Sequence, residues 1–243
     1  MANQYGPRII TDGLICCFDA SNNKSYSGSG NSIYNLANNS LNGTMSSVTF
    51  SSSNNGVLVL DASSDYIVIN HDSLLNFDSS FTLSVWIKIN TLNLSSIYNI
   101  VSKKASFNGT QKGWSCQLDY RNTGIMHFRN NDGTVTNDST QDSTVNNTAL
   151  LNQTSSYKNL VWVVRKSPQH VWFYIDGILR SGPHAITYTN TDTSNNLYIG
   201  KTLGSSGDGA PPINLGNVLL YNTVLNANNI LTNYNALKGR FSL

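Results

Sequence analysis

Every acidic side chain in this sequence is an aspartate: there are 13, and no glutamate. Glycoside hydrolysis needs two carboxyls flanking one bond, one kept protonated as the acid and one ionised as base or nucleophile. The spacing of Asp119, Asp132, Asp138 and Asp142 offers no such pair, because they are spread over strand ends and loops. A serine hydrolase would set its nucleophile on a sharp G-x-S-x-G elbow, which does not occur. His71, His127, His170 and His184 each stand apart from any second His or Cys, unlike zinc ligands. The SGSG at Ser27 to Gly30 precedes no helical pattern, so a phosphate cradle is not expected there. The chain therefore reads as a non-enzyme.

Two kinds of binding chemistry remain. Calcium takes carboxylate, amide and backbone oxygens, and the densest such cluster is Asn130, Asn131, Asp132, Asn137 and Asp138. Asp132, Asn137 and Asp138 are the metal candidates, as a weak site; the same residues are also ordinary turn formers. Sugar recognition uses aromatic rings stacked on pyranose faces with amides or carboxylates fixing the hydroxyls. Trp86, Trp162, Trp172 and Tyr174, with Asp132, are the candidates for it, weighed against the same rings lying in a core or subunit interface. Cys16 and Cys17 are adjacent, so they point to opposite sides of a strand, and at most one could meet Cys116; all three are expected as buried free thiols.

The elements that must position these residues are strands. Apolar residues make up 39% of the 243 positions and charged ones only 12%, while 35 are Asn, a composition suited to turns and sheet edges. The missing glutamate also argues against helix. FTLSVWIKI alternates Phe81, Leu83, Val85, Ile87 and Ile89 with Thr82, Ser84, Trp86 and Lys88, one face core and the other carrying Trp86. Val57 to Leu60 and Tyr66 to Ile69 flank a turn-like DASS and predict a hairpin. LVWVVR and VWFYIDG, joined at Ser167-Pro168-Gln169, predict a second hairpin in the middle of stacked sheets. Residues 130 to 157 read as a long polar loop, and GSSGDGAPP as another. One helix is expected near Asn226, with Ile230, Leu231 and Tyr234 at helical spacing, lying across the sandwich edge. Residues 1–12 read as an N-terminal arm and 13–243 as one domain, an all-β antiparallel two-sheet jelly-roll sandwich.

VLDASSDYIVI, SFTLSVWIKI, NLVWVVRK followed by VWFYIDG, NLYIGK and the closing LGNVLLYNTVLNANNILTNYNALKGRF resemble the laminin G-like, concanavalin A-like lectin/glucanase superfamily. GLICCFDASNNKSYSGSG, IYNLANNSLNGT and NYNALKGRF are similar to the versions found in tailed-phage and related virion proteins. The resemblance implies a jelly roll with one concave sheet, ligands held on that face or at rim loops. In the family's FDGxDDYI motif, Leu60, Ala62 and Ser64 depart here, while Asp61, Asp65, Tyr66 and Ile67 remain. Its glucanase members use a Glu-based acidic motif that this chain lacks.

Together these readings lead to the expectation of a virion structural protein, a capsid or tail decoration or cement subunit assembled in the host cytoplasm. The alternative is a glycan-binding adhesin of the particle. Expected partners are other virion proteins, a second copy of the chain and a surface glycan. Nucleic acid is not expected, since the net charge is only +2 and the 15 Lys and Arg are scattered. No apolar run is long enough to span a membrane, and MANQYGPRIITDG lacks the apolar core of a signal peptide. Because Ile9 and Ile10 are apolar within the arm, the arm and Lys238 to Leu243 are expected to dock on a partner.

Overall fold

The computed structural model describes residues 8–77, 79–91, 97–104, 112–120, 125–131, 136–139, 154–187, 191–201 and 212–243. The first half holds β1 (Leu14–Asp19), β2 (Ser32–Ile33), β3 (Gly43–Ser46), β4 (Thr49–Ser51), β5 (Val57–Leu60), β6 (Tyr66–Ile69), β7 (Phe81–Ile89) and β8 (Ile97–Ser102). The second holds β9 (Gly113–Asp119), β10 (Ile125–Asn131), β11 (Thr136–Ser139), β12 (Lys158–Lys166), β13 (Gln169–Ile175), β14 (Ile178–Ala185), β15 (Leu197–Ile199) and β16 (Ile213–Tyr221). Helix α1 (Ala227–Leu237) and a short 3-10 turn (Lys238–Phe241) follow.

The strands form two antiparallel sheets. Sheet I runs β14-β13-β12-β7-β16-β5-β4, with β1 also paired to β16; sheet II runs β11-β10-β9-β8-β15-β6-β3-β2. The alternation in β7 aims Phe81, Leu83, Val85, Ile87 and Ile89 into the space between the sheets, where Trp114, Cys116, Leu118, Met126 and Phe128 meet them from β9 and β10. Trp162 Nε1 crosses the core to donate to the His127 carbonyl of sheet II at 3.1 Å. This all-β sandwich is the expected fold.

The LVWVVR and VWFYIDG runs pair as β12 and β13 through a continuous register, as predicted. The other predicted hairpin is corrected. β5 pairs with β16 and β4 in sheet I, whereas β6 pairs with β15 and β3 in sheet II, so the DASS turn arches between sheets. Both strands direct apolar residues inward, Leu58 and Leu60 from one side and Ile67 and Ile69 from the other. The arch is closed by Asp65, whose Oδ2 accepts the backbone N–H groups of Asp61 and Ala62 at 2.9 and 3.0 Å. Asp65 is buried at 3% exposure, and its carboxylate is committed to the turn.

Helix α1 begins where expected, with Asn226 Oδ1 accepting the Asn229 N–H at 2.9 Å. It does not lie across an edge. It covers the outer face of sheet I, where Ile230 is buried with Cys17, Val161, Val163, Tyr174, Leu219 and Tyr221. Burying an aliphatic side chain of that kind contributes about 1.5–3 kcal/mol. Leu231 faces solvent at 44% exposure.

The arm is also corrected in one respect: Ile9 and Ile10 pack against this same cluster. The Ile10 N–H donates to Asn233 Oδ1 at 2.8 Å, and the Tyr221 hydroxyl donates to the Ile10 carbonyl at 2.9 Å. The apolar pair is thus covered by the chain itself, which removes the reason for requiring a partner there. The long polar stretch after Asn130 is not all loop either, because Thr136–Ser139 forms β11 at the edge of sheet II.

Candidate binding face

Strand alternation puts the four predicted stacking aromatics on two different faces. Trp162 enters the core, and Trp86 points outward from sheet I but is stacked between Tyr234, centroids 5.5 Å apart, and Phe241, 4.5 Å apart. Both indoles are fully buried, so neither can offer a ring face to a sugar. Tyr174 lies under α1 at 7% exposure. Trp172 is half-buried, with the Arg165 guanidinium 4.8 Å from its ring centroid. These rings do not converge on one site, because α1 and the C-terminal turn occupy the face from which three of them project.

The calcium candidates also separate. Asp132 lies outside the described residues. Asn130 and Asn131 belong to β10, and Asn137 and Asp138 to β11, with Asn130 across from Asn137 and Arg129 across from Asp138. Paired strand positions replace the expected loop, since the ladder takes up backbone groups that a calcium loop would turn toward the ion. Among the described residues, no three His, Cys or Asp side chains are grouped to hold a metal.

The outward face of sheet II has a different chemistry. Across β8, β9 and β10 the register sets Asn99 beside Gln117 and Gln117 beside His127; one step away, Ser102 faces Ser115 and Ser115 faces Arg129. Gln117 Nε2 donates to Asn99 Oδ1 at 2.7 Å and to Ser115 Oγ at 3.0 Å. Asn99 Nδ2 and Gln117 Oε1 have no partner among the described residues, although Asn99 is 0% and Gln117 1% exposed. An unmade hydrogen bond on a buried group costs about 1–3 kcal/mol. At the β6 side of this face Tyr198 and Tyr66 stand 5.8 Å apart, and Lys201 Nζ sits 4.2 Å from the Tyr66 ring centroid. Tyr66 and Lys201 are half-buried and form the open end of the row.

Sequence reasoning found β9 but missed this row. The signal was Ser115, Gln117 and Asp119 alternating with Trp114, Cys116 and Leu118, a polar half-strand whose sheet position only the register reveals.

Lys103 anchors the adjoining rim. Its Nζ donates to the carbonyls of Thr193 and Asn195 at 2.8 and 2.7 Å and meets His71 Nδ1 at 3.1 Å. Burial lowers its pKa to about 8 from the ordinary 10.5, a shift that the Asp192 and Asp72 carboxylates only partly offset. Between about 8 and 10.5 the unfolded chain holds a proton that the folded chain has lost, so this group makes the folded state relatively more stable as pH rises through that window. Urea denaturation across the window should show that rise in the native chain and its loss in Lys103→Met.

The thiols are unsuited to nucleophilic chemistry. All three are free and buried, and burial pushes Cys16 and Cys17 up to about 12 and Cys116 well above its usual value.

A sandwich of two antiparallel sheets, one with a helix over its outer face and the other carrying a buried row of amides and hydroxyls, belongs, by architecture, to the lectin-like β-sandwich class. The model of the concanavalin A-like lectin/glucanases superfamily matches residues 61–231, and the chain belongs to that family. No curated protein sequence matches it. Among solved structures, a Trypanosoma rangeli sialidase in complex with sialic acid superposes with a TM-score of 0.64 at 14% identity, over 95% of this chain and 34% of the sialidase. The binding domain of Paraclostridial Mosquitocidal Protein 1 gives 0.64 at 18% identity, over 92% of this chain and 52% of that one. Domain 4 of AbnA, a GH43 extracellular arabinanase from Geobacillus stearothermophilus, in complex with arabinotriose, gives 0.63 at 14% identity, over 92% and 98%. The chain thus spans about a third of the sialidase and about half of the toxin's binding domain. At these identities the likeness shows the fold alone.

Proposed function

We propose that this chain is a non-catalytic carbohydrate-binding domain that meets its glycan on the outward face of sheet II. The observation that carries the reading is the half-buried Tyr66 ring at the open end of that face, with Lys201 Nζ 4.2 Å from its centroid. Beside it the amide row leaves one donor, Asn99 Nδ2, and one acceptor, Gln117 Oε1, without a partner among the described residues, and these are the two roles that a sugar hydroxyl takes. The ring surface is that of Tyr66, since Tyr198 beside it is buried at 8% exposure. The likeness in fold to an arabinanase domain solved in complex with arabinotriose, which this chain covers almost end to end, supports the same reading. Binding to an array of neutral and acidic glycans, followed by calorimetry on the hits, tests it. Saturable binding of at least one glycan, weakened by Tyr66→Ala, is the expected result; an array blank at millimolar glycan rejects the proposal.

A finer placement, as a decoration subunit of a virion or as its adhesin, rests on the resemblance of the opening and closing segments alone. Its argument from the arm and C-terminus is weakened, since Ile9, Ile10 and Phe241 pack on this chain. Locating the protein on purified particles by electron microscopy tests that placement.

The non-enzymatic part of the proposal has its own expected outcome. No reducing ends should be released from β-glucan, chitin or arabinan above a heat-killed control, because the spread of the aspartates along the sequence offers no acid and base pair. Release that disappears on replacing one aspartate would refute it.

A further inference from the structure

β16 changes partners halfway along its length. Ile213 to Leu215 pair with β5, and Asn217 to Tyr221 pair with β1, with an irregularity at Gly216. Above this fork, on the outer face of sheet I, is a cavity of about 510 Å³. Ligand sites commonly enclose roughly 300–1,000 Å³. Cys17, Asp19 and Asn217 from the two strands line it, as do Ile9 of the arm, Leu237 at the end of α1, and Leu36. It lies on the opposite side of the sandwich from the row containing Gln117.

The polar groups here are specific. Asn217 is 3% exposed, and its Oδ1 accepts no hydrogen bond from any described residue. Asn217 faces Asp19 across the β1–β16 ladder, so amide and carboxylate stand side by side. Asp19 is paired with Arg240 at 2.6 Å, and Arg240 also donates to the Asn54 carbonyl at 2.7 Å and to that of Gly56. The Asp19 charge is therefore already met from within the chain, while its neighbour Asn217 presents an unused acceptor. Ile9, Leu36 and Leu237 make the remaining surface apolar, and Arg8 contributes to the lining as well.

The geometry points to a second ligand site at this fork, for a small neutral molecule that carries hydroxyl groups on an otherwise apolar ring, of the monosaccharide class. A hydroxyl of such a guest donates to Asn217 Oδ1, and its C–H faces lie against Ile9 and Leu237. A cationic guest gains less here, because the Asp19 carboxylate already has its counter-ion in Arg240, and an anionic guest at Asn217 meets that same carboxylate. The site is independent of the row on sheet II.

The test is an NMR titration of the 15N-labelled full chain with glucose, galactose and arabinose, and with glucuronate as the anionic counterpart. Saturable shifts of the Asn217 side-chain amide and of the Cys17 and Asp19 backbone amides are expected with at least one neutral sugar. Asn217→Leu should weaken that binding at least tenfold. Leu237→Trp, which fills the cavity without touching its polar wall, should abolish it and also serves if Asn217→Leu folds poorly. Asn99→Leu/Gln117→Leu on the other face should leave it unchanged, which separates this site from the proposed glycan face. The inference is overturned if no neutral sugar shifts these amides, if Leu237→Trp binds as the native chain does, or if glucuronate binds tenfold more tightly than every neutral sugar.

Discussion

Phe241→Ala is expected to lower the unfolding free energy by about 3–5 kcal/mol, the usual cost of truncating a buried phenylalanine. Phe241 is 4% exposed, and its ring stacks on Trp86 and lies 4.5 Å from Tyr157. It also fills the space above Gly216, where a Cβ would come within 2.5 Å of the ring. Truncation leaves a cavity beside the Trp86 indole, and Val57 and Trp86, held on β5 and β7, are poorly able to collapse into it. Urea denaturation followed by tryptophan fluorescence measures the effect. Sedimentation of the variant under native conditions should match that of the native chain, because the ring packs on its own domain. A loss of self-association with stability unchanged would instead make the C-terminal turn a docking element.

Asn99→Leu/Gln117→Leu should separate binding from stability. Removing both amides eliminates one unpartnered donor and one unpartnered acceptor, together with the hydrogen bond between the two side chains and the one that Gln117 Nε2 gives to the Ser115 hydroxyl. Replacing both partners of a buried polar contact by apolar groups is often close to neutral. The melting midpoint is therefore expected to stay level or rise, while affinity for the glycan identified on the array falls by at least tenfold, about 1.4 kcal/mol. Groups kept at some cost to stability for the sake of a ligand behave this way. If stability drops and affinity holds, the row is a structural network and the glycan face must be sought elsewhere.

The strands were legible because their pattern is local. The two-residue period of FTLSVWIKI and the double-sided apolarity of LVWVVR and VWFYIDG need no partner to be read, and β12 and β13 paired as that pattern implied. The C-terminal helix was legible for a similar reason, since a cap and an apolar spacing are short-range features. The DASS turn misled because a tight hairpin and an arch between sheets look alike over a few residues. Which one forms depends on whether the flanking strands find β16 and β4 or β15 and β3, far along the chain.

Outward aromatics misled for a related reason. Alternation correctly sends Trp86 and Tyr174 away from the core between the sheets, yet it cannot tell that a helix from the far end of the chain will cover them. The sequence by itself determined an all-β sandwich with a capped C-terminal helix and buried free thiols, because composition and short periods dictate these. Only the tertiary structure decided which face is covered, that Ile9, Ile10 and Phe241 pack on their own domain, and that Asn99, Gln117 and Ser115 share one row. Those outcomes follow from strand order and register, which are set by the packing of segments distant in sequence rather than by any single stretch.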